Sequence, residues 1–493
     1  PNSIQGVIES RIGRLTPAQQ FAVKVASTIG QTFPDRLLRD IYPNEAGKTQ
    51  LSDDLDALER LDITPAEALV PEQTHTFKHI ITQQVAYDQL PFAQRRQLHR
   101  AIAEWYERNH SDDLSPFYPL LAHHWGRAKV NSKTLDYLEQ AGEQALRSFA
   151  NQEAQTFLIE ALELGPKSNP PVDPVRRACW ELQLGEAYVN RSKYGEGRKH
   201  LEAGLMLLGK AVPKAVPEKP VAGQAATVDM DHLHLILLGK PVPLDHLQQK
   251  SSTPDQHSDA PKPLSLRFRR MARNLLQVIA LLRTAAGQVV HRLWPRRYVG
   301  RVSEQRDLLL AAARAVERLA EVYYFANEPV LAMFAALRTV NLAESAGPSP
   351  ESSQLGSDDL SSSSQPVNLA ASAGLSPELA RGYATLGALV GFVPLRGMAE
   401  AYFRRAQEPM TGEGRQPAAA HVSLTVGFYA AGVGDWARAK RHFMATVSVS
   451  ERLGDRRGRD DGLGNLVYVH YLQGEYSAGE AKADDLIRSA TLR

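Results

Sequence analysis

Cysteine is almost absent from this chain: Cys179 is the single one among 493 residues. An internal disulfide and a cysteine-rich metal site are therefore excluded, and a reducing compartment is the natural expectation, with the cytoplasm as default. Long apolar runs are missing as well. No stretch reaches the roughly eighteen apolar residues of a membrane-spanning helix, and no signal-peptide pattern opens the sequence. Charge of one sign is lacking too: 57 Lys and Arg balance 55 Asp and Glu, for a formal net charge of +2, so no global field points to nucleic acid or membrane. Pro1 stands where a complete chain would begin with Met, which suggests a segment of a longer protein.

What is abundant is helical periodicity with small residues at fixed places. Residues 138–166, LEQAGEQALRSFANQEAQTFLIEALELGP, read as a helix, a turn at Asn151 and a second helix stopped by Pro166. Gly142, Ala154 and Ala161 fall where two antiparallel helices must touch, with Leu138 and Leu158 filling the space beside them. This is a helical hairpin of the tetratricopeptide type, which cannot bury its own apolar face and so predicts neighbours. Taking Gly142, Ala145, Ala154, Leu158 and Ala161 as a template, the same offsets recur at Gly185, Tyr188, Gly197, Leu201 and Gly204. They recur again at Ala320, Tyr323, Ala332, Ala336, Thr339; at Gly387, Val390, Ala399, Phe403, Ala406; and at Gly427, Ala430, Ala439, Phe443, Thr446. A weaker copy runs through Val467, His470, Gly479, Ala483 and Leu486, and Gly434-Asp435-Trp436 and Gly474-Glu475-Tyr476 occupy one turn in successive copies.

The array predicts a mainly all-α fold. Residues 1–110 have another texture: short helices at 3–15, 17–29, 34–41 and 51–61, a strand-like passage, then a long helix through Trp105. That order reads as a winged-helix-like module. Residues 111–208 hold the first hairpins, and 209–263 read as a flexible linker with a short helix. Residues 264–303 read as basic amphipathic helices, and 304–493 as a tetratricopeptide-like solenoid with a disordered, serine-rich insertion near 345–370. Because NLAESAGPSPE (341–351) is echoed as NLAASAGLSPE (368–378), the insertion is expected to leave the solenoid register intact.

Several stretches carry a resemblance: SIQGVIESRIGRLTPAQQFAVKVASTIGQTF (3–33), FKHIITQQVAYDQLPFAQRRQLHRAIAEWYE (77–107), LLAHHWGRA (120–128) and the hairpin at 138–166. They resemble the region that follows the ATPase core in bacterial STAND, AAA-type signalling ATPases, often fused to class III adenylate or guanylate cyclase domains. The resemblance implies a regulatory or scaffold arm that binds a protein, peptide or small ligand on its solenoid surface and relays that state to an upstream ATPase or cyclase domain in cis. It implies ATP with Mg for that missing domain, no cofactor in this chain, and a nucleotide-sensing role for His79. A ligand-responsive transcriptional regulator, its winged helix on DNA, is the alternative. Scattered basic residues among acids in 1–110 form no recognition stripe and argue against nucleic acid.

Chemistry has few footholds. Gly47-Lys48-Thr49 ends like a phosphate-binding loop, yet Tyr42 stands where that loop needs a further glycine. His123 and His124 are adjacent on a helix and project about 100° apart, so they read as packing rather than as metal ligands. Cys179 falls in an apolar helix pattern and reads as core. No catalytic or metal-binding residue is assigned. The remaining question is the acid-free run from Ala260 to Ser303, where Arg267, Arg269, Arg270 and Arg273 lead a series of arginines. A solvated cationic face packed on the solenoid is the first reading, and an acidic partner or anionic membrane surface is the second. The first predicts no binding to acidic liposomes even at low salt. Salt-sensitive binding, abolished by charge reversal at Arg269, Arg270 and Arg273, would establish the membrane reading instead.

Overall fold

The computed structural model describes residues 4–68, 73–211, 277–291, 305–347, 375–391, 395–410 and 414–491. Arg267, Arg269, Arg270 and Arg273 lie outside these residues, as do most of the linker expected at 209–263 and most of the insertion expected near 345–370. The described chain is all-α apart from one small sheet. None of its helices is long and apolar enough to cross a membrane. It divides into two compact units, Pro1–Ala145 with Glu153–Val172, and Leu146–Gln152 with Asp173–Arg493.

The first unit opens with α1 (Ile4–Gly13), α2 (Pro17–Ile29), β1 (Thr32–Pro34), α3 (Asp35–Ile41), α4 (Glu45–Lys48), α5 (Leu51–Arg60), β2 (Ala66–Ala68) and β3 (Thr74–Thr76). Thr16 starts α2 with a capping box: its hydroxyl accepts from the Gln19 amide at 3.3 Å, and Gln19 Oε1 accepts from the Thr16 amide at 3.2 Å. Leu51, Leu55 and Leu58 repeat at helical spacing, which turns one face of α5 into the core, where the helix packs on α2. β3 lies between β1 and β2, antiparallel to both, in the order β1-β3-β2.

Helices α6 (Ile80–Asp88), α7 (Phe92–Asn109), α8 (Tyr118–Ala128), α9 (Asn131–Arg147) and α10 (Asn151–Leu164) follow. Glu107 ties three of them together: its Oε1 accepts from Trp125 Nε1 at 3.1 Å, Lys133 Nζ at 3.0 Å and Tyr137 Oη at 2.6 Å. The hairpin read at 138–166 is α9 and α10. Its first helix starts seven residues earlier than the repeat pattern indicated, at Asn131, and Asn151 opens the second helix rather than forming the turn.

The second unit is built from hairpins: α11 (Pro174–Asn190) with α12 (Tyr194–Ala211), α14 (Arg306–Phe325) with α15 (Pro329–Ala346), and α16 (Pro377–Gly391) with α17 (Arg396–Ala406). Then come α18 (Arg415–Gly432) with α19 (Trp436–Leu453), and α20 (Arg456–Leu472) with α21 (Tyr476–Thr491). A further helix, α13 over 277–291, packs on α15, where Gln288 Nε2 donates to Glu344 at 2.9 Å and His291 Nδ1 lies 2.8 Å from the same carboxylate. α15 and α16 are in contact although 348–374 intervene, so the array continues across the insertion.

One contact closes each hairpin, between positions sixteen residues apart. A Cβ on Gly142 would stand 3.0 Å from Leu158, on Gly185 2.6 Å from Leu201, on Gly387 3.0 Å from the Phe403 ring, and on Gly427 2.7 Å from the Phe443 ring. Where the first helix instead carries Ala320, the partner shrinks to Ala336, and both are buried. The turn after it is equally repetitive. Phe149, Ser192, Asn327, Gly434 and Gly474, each seven residues beyond the template position, all adopt a left-handed conformation. The next amide then reaches back to the carbonyl five residues before it: Lys193 to Tyr188, Glu328 to Tyr323, Asp435 to Ala430 and Glu475 to His470, each at 2.9 Å.

This geometry makes two substitutions in one hairpin act in opposite directions. Gly185→Ala must push against the Leu201 backbone nitrogen at 2.9 Å as well as its side chain, and it lowers unfolding stability by about 1–3 kcal/mol. Ser192→Gly relieves the left-handed strain at φ 58° and raises stability by up to about 1 kcal/mol. Urea denaturation of the two variants checks both signs.

Candidate functional site

Each hairpin turns its first helix inward, and α11, α14, α16, α18 and α20 contact one another in succession. Polar residues recur on these helices at spacings of three or four, so each presents one stripe to a shared interior. Glu186 comes from α11; Arg314, Glu317, Arg318 and Glu321 from α14; Arg381 and Thr385 from α16; His421 from α18; and Arg457 and Asp461 from α20. All of these but Glu186 and Arg314 line a cavity of about 320 Å³ whose apolar side is formed by Phe325, Leu389, Leu424 and Phe428.

The charged wall is a connected set. Arg318 reaches Glu186 and Glu321, each at 3.3 Å, and Arg314 donates to Glu378 at 2.7 Å. Arg457 links distant parts of the unit: it donates to the Val189 carbonyl at 2.7 Å, to the Tyr194 hydroxyl at 3.1 Å and to Glu321. One residue of the last hairpin thereby holds the first two. Glu317, only 3 % exposed, is surrounded by Arg381 and His421 at 3.6 Å and Arg318 at 4.0 Å. Burial opposes the charge on Arg318, but Glu317, Glu186 and Glu321 outweigh it and raise the guanidinium above its ordinary value. Burial likewise holds the His421 imidazole below its ordinary value, so it is uncharged near neutrality. Its Nε2 lies 3.3 Å from the Thr385 hydroxyl.

The residues singled out from sequence fall in different places. The template positions Gly142, Ala154, Ala161, Gly185, Gly197, Ala320, Ala332, Gly387, Ala399, Gly427 and Ala439 are buried between hairpin helices. Tyr324 lines the cavity at 49 % exposure, but other tyrosines of the first helices do not. Tyr323 is buried, Tyr429 packs on Phe403 with ring centroids 4.9 Å apart, and Tyr188 stacks on His200. His79 is exposed at the position preceding α6 and caps nothing with its side chain. Lys48 pairs with Glu45 at 2.5 Å. His123 is exposed and His124 buried, yet both rings lie against His99, with centroids 5.9 and 5.1 Å from it, and His124 Nδ1 is 2.8 Å from His99 Nδ1. Among the described residues no group of three or more His, Cys, Asp or Glu is arranged to hold a metal ion. Cys179 is half-buried between the buried Ala178 and Trp180, so it sits at the margin of the core rather than inside it. The charged wall was missed in the sequence. A signal existed, because Glu317 and Glu321 on one helix and Arg457 and Asp461 on another repeat at intervals of four, but such pairs also mark ordinary solvated faces.

No family model matches the chain. Over 163 residues it is 26% identical to an uncharacterized protein of Rhizobium meliloti (strain 1021), a stretch covering 33% of this chain and 16% of that relative. Among solved structures it is similar to a STAND protein with a tetratricopeptide repeat sensor from Pyrococcus horikoshii. That similarity has 9% identity and a TM-score of 0.29 and covers 99% of this chain and 66% of the other. It is also similar to the TPR2AB domain of yeast Sti1 in complex with pHSP90, at 12% identity and a TM-score of 0.20, over 79% of this chain and 99% of that one. The chain thus spans about a sixth of the curated relative it matches and about two thirds of the first of these structures. The tetratricopeptide-like architecture rests on the chain's own hairpin packing.

Asp461 gives the wall a pH dependence. Burial raises its carboxyl from 3.8 to about 6, against the opposing pull of Arg457. A carboxyl with a raised folded-state pKa stabilises the fold when protonated, and this contribution fades as pH rises from about 4 through about 6. Asp461→Asn removes the penalty. Its melting temperature should exceed that of the parent at pH 7.5 and converge with it at pH 4.5. An equal difference at both values would rule the titration out.

Proposed function

We propose that this chain is a non-catalytic regulatory and scaffold region of a multidomain signalling ATPase or nucleotide cyclase. The inner face of its hairpin array binds a protein, peptide or small ligand and relays occupancy to an upstream catalytic domain in cis. The observation that carries the reading is the cavity of the second unit, whose wall takes Asn190, Glu317, Arg381, His421 and Arg457 from five hairpins and is tied across the array by Arg457. A ligand there touches several repeats together, so binding changes how they sit against one another, which is the property a relay needs. In this reading the upstream domain binds ATP with Mg, and His79, exposed on the first unit, senses that nucleotide.

The winged-helix-like element order favours a second reading, a ligand-responsive transcriptional regulator. The exposed face of α5, the helix such a module would lay in the major groove, carries Asp53, Asp56 and Glu59 with only Arg60 opposing them. Those carboxylates repel phosphate, and this weighs for the scaffold.

Two measurements on the longer protein test the choice. Arg457→Ala, which releases the first two hairpins from the last, should change nucleotide turnover by about threefold or more, the scale of a coupling of 1 kcal/mol. Turnover equal to the parent's would exclude the relay. The same protein should give no salt-sensitive shift of duplex DNA, whereas a specific shift would favour the regulator.

A further inference from the structure

Four buried polar atoms of the cavity wall have no hydrogen-bond partner among the described residues: Glu317 Oε2, Arg318 Nε, Arg381 Nε and Ser450 Oγ. Arg314, Arg318 and Arg457 all make hydrogen bonds to carboxylates. Glu317 and Arg381 make none to any described residue. Their closest approach, Arg381 Nη1 to Glu317 Oε2, is 3.6 Å, an ion pair too long to be a hydrogen bond. Glu317 Oε2 and Arg381 Nε are both buried without a partner. The Glu317 side chain is 2 % exposed and that of Arg381 12 %, so bulk water does not make up the loss. Buried charged groups normally find hydrogen bonds, and a pair left with open donors and acceptors at the edge of a cavity is prepared for a ligand that supplies them.

The charge count narrows the ligand. Arg318, Arg381 and Arg457 line the cavity with Glu317 and Glu321, and Glu186 pairs with Arg318 from outside the lining, three against three, with Asp455 and Asp461 also in the lining. An anion would satisfy Arg381 and leave Glu317 with a new repulsion, and a cation would do the reverse. A ligand without net charge that carries an acceptor and a donor side by side satisfies both. Next to this polar end lie Phe325, Leu389, Leu424 and Phe428, so the rest of the ligand is apolar. A volume of about 320 Å³ suits a molecule of amino-acid size.

We propose that the cavity of the second unit binds a free zwitterionic amino acid with an apolar side chain. Arg381 donates to its carboxylate, Glu317 accepts from its ammonium, and the side chain lies against Leu389 and Phe428. This deepens the regulatory reading and rests on it only for its consequence, since binding is measurable on the chain alone.

Isothermal titration calorimetry of the full chain with phenylalanine, leucine and tryptophan tests the idea. At least one should bind with one-to-one stoichiometry. Its N-acetyl derivative, which lacks the ammonium, and its amide, which lacks the carboxylate, should bind at least tenfold more weakly. Arg381→Met and Glu317→Gln should each weaken binding at least tenfold. Leu389→Trp, which fills the apolar side and leaves every charge in place, should abolish it while the thermal melt stays cooperative. Absence of saturable binding by all three amino acids overturns the proposal, as does equal affinity for a blocked form or indifference to Leu389→Trp. Because the relay is read from turnover in the Arg457→Ala protein, loss of this proposal leaves that reading standing, and loss of the relay leaves the binding result intact.

Discussion

Everything in the hairpin array depends on how closely two helices of one hairpin can approach. That distance is set by a single complementary pair sixteen residues apart. Where the first helix offers glycine the second supplies Leu158, Leu201, Phe403 or Phe443, and where it offers Ala320 the second supplies Ala336. A glycine on the first helix offsets a large residue on the second, and where the first carries alanine the second is small too. Close packing makes such compensation necessary, because a missing methylene leaves a void and an extra one forces the helices apart. The fifth template position works in the same way. Gly204 lies against the Ala178 carbonyl, whereas Thr339 and Thr446 place a hydroxyl at the equivalent carbonyls of Ala313 and Ala420, at 3.5 and 3.3 Å.

The left-handed turn adds the second constraint. By fixing where the chain reverses relative to the crossing, it sets which residues of the first helix remain free of the hairpin's own core. Those residues face the interior of the array, and there the wall of Glu317, Arg318, Arg381 and Arg457 forms. Its stability is conditional. Ion pairs of this burial are strong only where their hydrogen bonds are complete, and at Glu317 and Arg381 they are not. A repeat scaffold carries such a local deficit easily, since each hairpin is held mainly by its own crossing and its nearest neighbours.

The first unit follows other rules. Its helices and small sheet are specified by local signals such as the Thr16 capping box and the Leu51, Leu55, Leu58 stripe, and all four helices expected within residues 3–61 appear within a residue or so of their limits. The hairpin at α9 and α10 was legible in type but not in extent. Thr134, Leu135 and Tyr137 are buried in its extra two turns, yet the repeat template carries no position there to announce them. The meeting of His99 with His124 was illegible for a plainer reason: they sit on different helices, and nothing in their spacing links them.

The sequence by itself determined the repeat, its register and its turns. Each of these depends on contacts within one hairpin, at offsets of five, sixteen and twenty-six residues, and a local contact leaves its trace as a fixed offset along the chain. Only the tertiary structure decided the cavity. Arg457 meets Glu321 across 136 residues and Val189 across 268. Which charge faces which is set by the accumulated rotation from hairpin to hairpin, a sum of small angles that no single offset records. The same rotation left Glu317 and Arg381 close enough to pair and too far apart to bond.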